Sequence, residues 1–224
     1  MKGHFNKTTF RVFTNWLVGL GLTLAYFSLR KVTWLGSVHL HTLMETVATI
    51  LAFLVGSMAL VRYYSKKDNT FLIIGTGFIG TAFLDGYHMV VTTQWFKDIF
   101  LIELSSLIPW SWVASRLFLS VMLWWSYWVW KNEQQVGKSI ALNEYPVYIF
   151  TFFATLGSFL FFILAPLPAG YFPDLPLHRP AELIPAVFFA AALIGYLKKG
   201  QWRDDSFEQW LVLALIINVI SQTP

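Results

Sequence analysis

Two pairs of ionisable residues lie inside segments that are otherwise strongly apolar. His41 and Glu45 are four residues apart, and Asp85 and His88 are three apart. On an α-helix, residues three or four apart share a face, so each pair presents one imidazole and one carboxylate on the same side. Ionisable groups inside an apolar segment of membrane-spanning length are energetically costly and indicate a functional site.

These side chains are of the types that bind transition metals. Imidazole nitrogens and carboxylate oxygens suit zinc, iron, manganese and copper, and two such pairs supply four ligands. Helix bundles build metal sites from inward-facing carboxylates and histidines. The predicted metal ligands are therefore His41, Glu45, Asp85 and His88. The alternative is a purely structural network of ion pairs and hydrogen bonds, in which Arg116 neutralises one of the carboxylates and the histidines cap or donate.

A haem b group is the second cofactor that the spacing allows, because bis-imidazole ligation needs only two facing histidines. His88 would then provide one axial ligand, and His41 or His39 the other. We expect His39 and Arg116 to contact the cofactor, with Arg116 tuning the site. The chain contains no cysteine, which excludes thiolate ligands and iron–sulfur clusters.

The composition identifies the kind of element that must position these residues. The 224-residue chain is 56% hydrophobic and 12% charged, with eleven Trp and 21 Phe, which is far from the composition of a soluble domain. A spanning helix needs about 20 mostly apolar residues. Seven segments meet or approach this length: 11–29, 38–62, 70–92, 109–130, 146–166, 180–197 and 206–222. We predict an all-α, polytopic integral membrane bundle of about seven transmembrane helices.

Charge predicts the orientation of this bundle. The basic residues cluster after the second, fourth and sixth segments, and the positive-inside rule places these loops and the N-terminus in the cytoplasm. Nucleic acid is therefore a poor explanation for the net charge of +4. Seven crossings leave Pro224 outside, so we expect an eighth helix to follow and to return the chain to the cytoplasm.

Depth brings the candidate residues to one level. With a rise of about 1.5 Å per residue, His41 and His88 lie roughly one turn below the outer boundary. Glu45, Asp85 and Arg116 lie roughly two turns below it.

A glycine pattern elsewhere has a simpler explanation. Gly75-x-Gly77-x-x-Gly80 matches the dinucleotide-binding string, but no strand precedes it and it lies within an apolar helix. We interpret these glycines as sites of close helix packing.

Several motifs resemble one bacterial family. His39-Leu40-His41-Thr42-Leu43-Met44-Glu45 and Gly80-Thr81-Ala82-Phe83-Leu84-Asp85-Gly86-Tyr87-His88 are similar to the membrane-associated sensor (MASE-type) domains that precede histidine kinase and diguanylate cyclase modules. Residues 179–186, 195–197 and 207–211 also resemble the later helices of that group. The resemblance implies that residues 1–224 form one membrane-embedded sensor domain of the bacterial inner membrane, without catalytic activity, whose cytoplasmic effector module is absent from this chain.

We therefore expect a homodimeric sensor that detects a small ligand, metal or redox signal near the outer leaflet. Occupancy would change the packing of the second and third helices, and this change would pass to the cytoplasmic module. The alternatives are an intramembrane metal-dependent hydrolase or oxidase acting on a lipid-like substrate, a transporter built from inverted repeats, and a metal-free receptor for an apolar molecule.

Overall fold

The computed structural model describes residues 7–29, 38–93, 104–137, 142–165 and 179–222, together with residues 167, 168, 170 and 172. The described residues contain seven α-helices and two short 3-10 turns, Pro180–Glu182 and Gln201–Arg203. The α-helices are α1 (Lys7–Leu29), α2 (Val38–Lys66), α3 (Asn69–Thr92), α4 (Leu104–Val136), α5 (Glu144–Leu164), α6 (Leu183–Lys199) and α7 (Ser206–Ser221).

The predicted fold class is confirmed. Helices α2 to α5, and α6 together with the 3-10 turn that precedes it, are each long and apolar enough to cross a bilayer, so the protein is a multi-pass helical membrane protein. The apolar stretches of α1 and α7 are shorter, Val12–Ala25 and Ser206–Ser221. The 16 residues of α7 span about 24 Å at 1.5 Å per residue, somewhat less than the roughly 30 Å hydrocarbon core.

Helix α3 is the centre of the bundle, because it packs against α2, α4 and α5. Leu72, Ile73 and Ile74 on α3 are fully buried. By contrast, most of the apolar side chains of α2 are exposed. The bundle is thus organised around one buried helix, and α2 lies on its outside.

Glycines allow α3 to approach its neighbours closely. A Cβ atom at Gly75 would lie 2.7 Å from the side chain of Leu60 on α2, and one at Gly77 would lie 2.8 Å from Met122 on α4. A Cβ at Gly80 would collide with the ring of Phe118. The glycine pattern therefore serves helix packing, as the sequence predicted.

A two-residue turn makes α2 and α3 antiparallel. Lys67 adopts a left-handed backbone conformation with φ 52°, and Asp68 caps α3 by accepting a hydrogen bond from the Thr70 amide at 3.0 Å. The start of α2 therefore lies beside the end of α3. We call this the His88 end of the bundle, and we call the opposite end, where α2 meets the start of α3, the Arg62 end.

Candidate functional site

Three of the predicted ligands converge at the His88 end. His41 and Glu45 on α2 and His88 on α3 each offer one ligand atom, and these atoms all lie within 4.8 Å of one another. The imidazole rings of His41 and His88 are 6.1 Å apart, centre to centre, and nearly perpendicular at 82°. His41 is exposed, Glu45 is half-buried and His88 is buried. We call these three residues the imidazole cluster.

Helix geometry explains this convergence. The four-residue spacing of His41 and Glu45 places both on the side of α2 that faces α3. Gly86 faces Thr49 here, and a Cβ at Gly86 would make an ordinary van der Waals contact with the Thr49 side chain at 3.6 Å. The antiparallel arrangement then brings the first turns of α2 to the level of the last turns of α3.

A hydrogen bond to α4 orients His88. Its Nδ1 atom lies 2.8 Å from the Ser111 hydroxyl, and that hydroxyl donates to the Ile108 carbonyl at 3.0 Å. Since a serine hydroxyl has one proton to donate, we assign the proton of this contact to Nδ1 of His88. This tautomer leaves the lone pair on Nε2, which is the state that a metal-binding histidine needs.

Asp85 lies one turn deeper and has a different partner. It is 4% exposed, and one of its carboxylate oxygens accepts a hydrogen bond from the Ser115 hydroxyl. Among the described residues, its oxygens do not join the group of converging ligand atoms. The structure therefore brings together three of the four predicted metal ligands and places the fourth beside α4.

The two predicted cofactor contacts lie outside the imidazole cluster. His39 is exposed and precedes His41 by two residues, a spacing that places it on another face of α2. Arg116 lies over the Trp112 ring at 5.4 Å, and its Nε atom is buried without a hydrogen-bond partner. Within the described part of the chain, no ion pair joins Arg116 to Glu45 or Asp85. Among these residues, the alternative network is therefore present in its hydrogen bonds, with Ser111 and Ser115, and not in its ion pair.

Ser111 and Ser115 were not predicted as site residues. They are four apart on α4 and contact His88 and Asp85, which are three apart on the antiparallel α3. A pair of serines with helical spacing, at the depth of the buried ionisable pair, was the signal that could have identified them.

The donor set of the imidazole cluster fits a transition metal. Zinc binds histidine nitrogen at about 2.0–2.1 Å, so ligand atoms around a tetrahedral ion are about 3.4 Å apart. Since the ligand atoms lie within 4.8 Å of one another, the widest pair must close by up to about 1.4 Å to hold an ion. His41 is exposed, which leaves its side chain room for this movement.

A family model described as MASE3, a membrane-associated sensor domain, matches residues 33–223. The match includes helices α2 to α7, and therefore the imidazole cluster and its serine partners, whereas α1 precedes it. No curated protein and no solved structure shows a significant match to the chain.

Proposed function

Because this chain belongs to the family of membrane-associated sensor domains, we propose that it detects a transition metal ion, or a small ligand held by that ion, through the imidazole cluster. The proposal is supported chiefly by one observation. Ligand atoms of two imidazoles and one carboxylate, from two neighbouring helices, lie within 4.8 Å of one another at one end of an apolar bundle.

The donor set favours a bare ion. Two histidines and one carboxylate form a three-ligand set of the kind used for zinc and for ferrous iron, and such a set leaves a coordination position open. Manganese and copper also accept these donors. A haem b iron offers only its two axial positions to the protein, so the third donor, Glu45, favours an ion over haem. Asp85 stays a predicted fourth ligand, but its bond to Ser115 makes it the weakest of the four assignments.

The location of the imidazole cluster supports a role in sensing. Its residues join α2, whose apolar side chains are mostly exposed, to α3, which is the buried centre of the bundle. Binding an ion would favour the arrangement in which the start of α2 lies close to α3. An ion shifts the conformational equilibrium only through different affinities for the two arrangements, and the contraction that the cluster needs provides such a difference.

The remaining parts of the proposal concern the assembly. We place the sensor in the bacterial inner membrane as a homodimer, with the N-terminus in the cytoplasm and the His88 end toward the outer leaflet. The change in α2 packing would pass to a cytoplasmic histidine kinase or diguanylate cyclase module of the full-length protein. The sensor domain itself would have no catalytic activity.

Metal analysis of the purified protein tests the site. We expect the wild-type protein, incubated with zinc, ferrous iron, manganese or copper and then desalted, to retain about one equivalent of at least one metal, and His88→Ala to retain almost none. Ser111→Ala should bind about 10–100-fold more weakly, because it removes the group that orients a ligand. The metal content would be measured by elemental mass spectrometry.

His39→Ala is the matched control, because His39 is on the same helix and outside the imidazole cluster. It should retain the metal. Equal metal content in wild type and His88→Ala would refute the site.

A further inference from the structure

A cavity of about 220 Å³ lies between α2, α3, α4 and α7, deeper in the bundle than the imidazole cluster. Its walls are largely apolar, with Leu51 and Val55 from α2, Leu119 from α4 and Leu215 from α7. Cavities that enclose whole drug-sized molecules measure about 300–1,000 Å³. This cavity therefore has room for the head of a small molecule rather than for a large ligand.

Four polar side chains line this apolar cavity, and one of them, Asn218, donates to the Ala214 carbonyl at 2.8 Å. The other three are Thr81, Asp85 and Arg116. Thr81 is 2% exposed, and its hydroxyl has no hydrogen-bond partner. The Nε atom of Arg116 is buried and also has no partner. Asp85 accepts one hydrogen bond, from Ser115. Buried polar groups are nearly always hydrogen-bonded in native proteins, so the unsatisfied donors of Thr81 and Arg116 indicate a missing acceptor.

The cavity has a route to the bilayer. α2 and α7 form two of its sides, but in the described part of the chain they do not pack extensively against each other. Leu51, on the α2 side of the cavity, is 55% exposed. A membrane-soluble molecule can therefore enter sideways between α2 and α7 and leave an apolar tail in the lipid.

We propose that this cavity binds the head group of a quinone or quinol. Arg116 and Asp85 carry opposite charges at the same cavity, which favours a neutral ligand. The donors of Arg116 and Thr81 match the carbonyl oxygens of a quinone, and the Asp85 carboxylate matches a quinol hydroxyl. The inference goes beyond the metal site and does not rest on it, because neither Thr81 nor Arg116 belongs to the imidazole cluster.

Fluorescence titration tests this proposal. Decylubiquinone would be added to the purified protein in detergent, and the quenching of tryptophan emission would be recorded. We expect the quinone to quench the tryptophan emission of the wild-type protein saturably. Binding should be about threefold to tenfold weaker for Thr81→Val and roughly tenfold or more weaker for Arg116→Met. Ala52→Phe should abolish saturable binding, because Ala52 lines the cavity and the larger ring fills it.

Thr151→Val is the matched control. Thr151 is also buried with an unpartnered hydroxyl, but it faces a different cavity, so its substitution should leave quinone binding unchanged. Size-exclusion profiles and melting curves would show that each variant is folded. If Arg116→Met does not fold, Thr81→Val and Ala52→Phe decide the question from two other helices.

Three results would overturn the proposal. The first is that the quinone does not quench the wild-type protein saturably. The second is equal quenching of wild type and Ala52→Phe, and the third is that decanoate binds saturably in place of the quinone. His88→Ala separates this inference from the metal site, because it should lose metal and keep quinone binding.

Discussion

Among the residues that the structure describes, buried charged side chains have partners of opposite charge at one end of the bundle and lack them at the other. At the Arg62 end, Lys199 and Glu208 form an ion pair at 2.5 Å with both side chains less than 5% exposed. The partly buried Arg62 and Asp205, each 31% exposed, pair at 2.7 Å. At the His88 end, Asp85 meets a serine hydroxyl. No ion pair of Arg116 is present there among the described residues.

This difference indicates a structural role for the charged residues at the Arg62 end and a functional role for those at the His88 end. A buried charge without a counter-charge is costly, so the pairs at the Arg62 end complete the fold there. The His88 end leaves carboxylate, imidazole and guanidinium groups without opposite charges in contact. In a membrane-embedded bundle, such groups mark ligand or ion sites. A bound cation or polar ligand would provide the interaction partners that these groups lack.

Helix α3 connects the two ends. Near its start, the Arg62 guanidinium lies 3.9 Å from the centre of the Phe71 ring, and Asn69 donates to Glu133. Near its other end, α3 carries Asp85 and His88. We therefore expect ligand-dependent movement to be greatest at the His88 end, with the Arg62 end as the fixed point.

The largest predicted effect is on the buried ion pair. Lys199→Met leaves Glu208 buried without a cation, and removing one partner of a buried pair costs about 3–5 kcal/mol. We expect a loss of this size in the free energy of unfolding, measured by titrating the protein in mild detergent with sodium dodecyl sulfate and following tryptophan fluorescence.

The exposed pair of Arg179 and Glu182 provides the control for this prediction. The Arg179 side chain is 56% exposed, so Arg179→Met should cost less than about 1 kcal/mol. A small effect of Lys199→Met would mean that the Arg62 end does not depend on its ion pair, and the contrast between the ends would fail.

A smaller, pH-dependent effect is expected at Asp205. Burial by itself raises the pKa of this carboxyl, but hydrogen bonds from Arg62 and from the amides of Glu208 and Phe207 bring the pKa below its usual value. A lowered folded-state pKa stabilises the protein above the unfolded pKa of about 3.9, and this contribution is lost as the pH falls through the folded pKa.

Asp205→Asn should therefore lower stability by about 1 kcal/mol at pH 7. The difference from wild type should begin to shrink as the pH falls below about 4 and should vanish below the folded-state pKa of Asp205. Melting curves between pH 7 and pH 3 would measure this. The neighbouring Asp204 is exposed, so Asp204→Asn should follow the wild-type curve. A constant difference between Asp205→Asn and wild type at every pH would contradict the assigned charge effect.

The sequence predicted much of the fold and part of the site for a simple geometric reason. A fixed rise per residue and a short connection between α2 and α3 determine which residues lie at one depth. His41 and His88 were expected at the same level, and the structure places their rings 6.1 Å apart. The seven apolar segments likewise correspond to the seven described helices.

The contacts that the sequence did not predict depend on how each helix is rotated about its own axis. The depth of a residue in the membrane does not determine this rotation. Asp85 was expected beside Glu45, but the rotation of α3 places its carboxylate against Ser115 on α4. Arg116 was expected at the same depth, yet it shares a cavity with Asp85 without forming an ion pair. The pairing of Arg62 with Asp205, 143 residues apart, depends on tertiary packing that no local pattern encodes.

The smallest effect is expected for removal of the charge of Asp85. Compared with the same change at Glu208, it tests the difference between the two ends of the bundle most directly. Asp85 and Glu208 are 4% and 3% exposed, and each loses only its charge in Asp85→Asn and Glu208→Gln. Glu208→Gln leaves Lys199 buried without a counter-charge and should cost about 3 kcal/mol or more.

Asp85→Asn should leave the free energy of unfolding unchanged or raise it, because it removes a buried charge that has no counter-charge in contact among the residues described. The amide oxygen still accepts the hydrogen bond of Ser115, and no paired cation loses its partner. Both variants would be unfolded in the same detergent titration without added metal or quinone. If Asp85→Asn lowers the free energy of unfolding as much as Glu208→Gln does, then Asp85 is already neutralised by a cation in the folded protein, most directly by Arg116. The buried charges at the His88 end would then be paired like those at the Arg62 end.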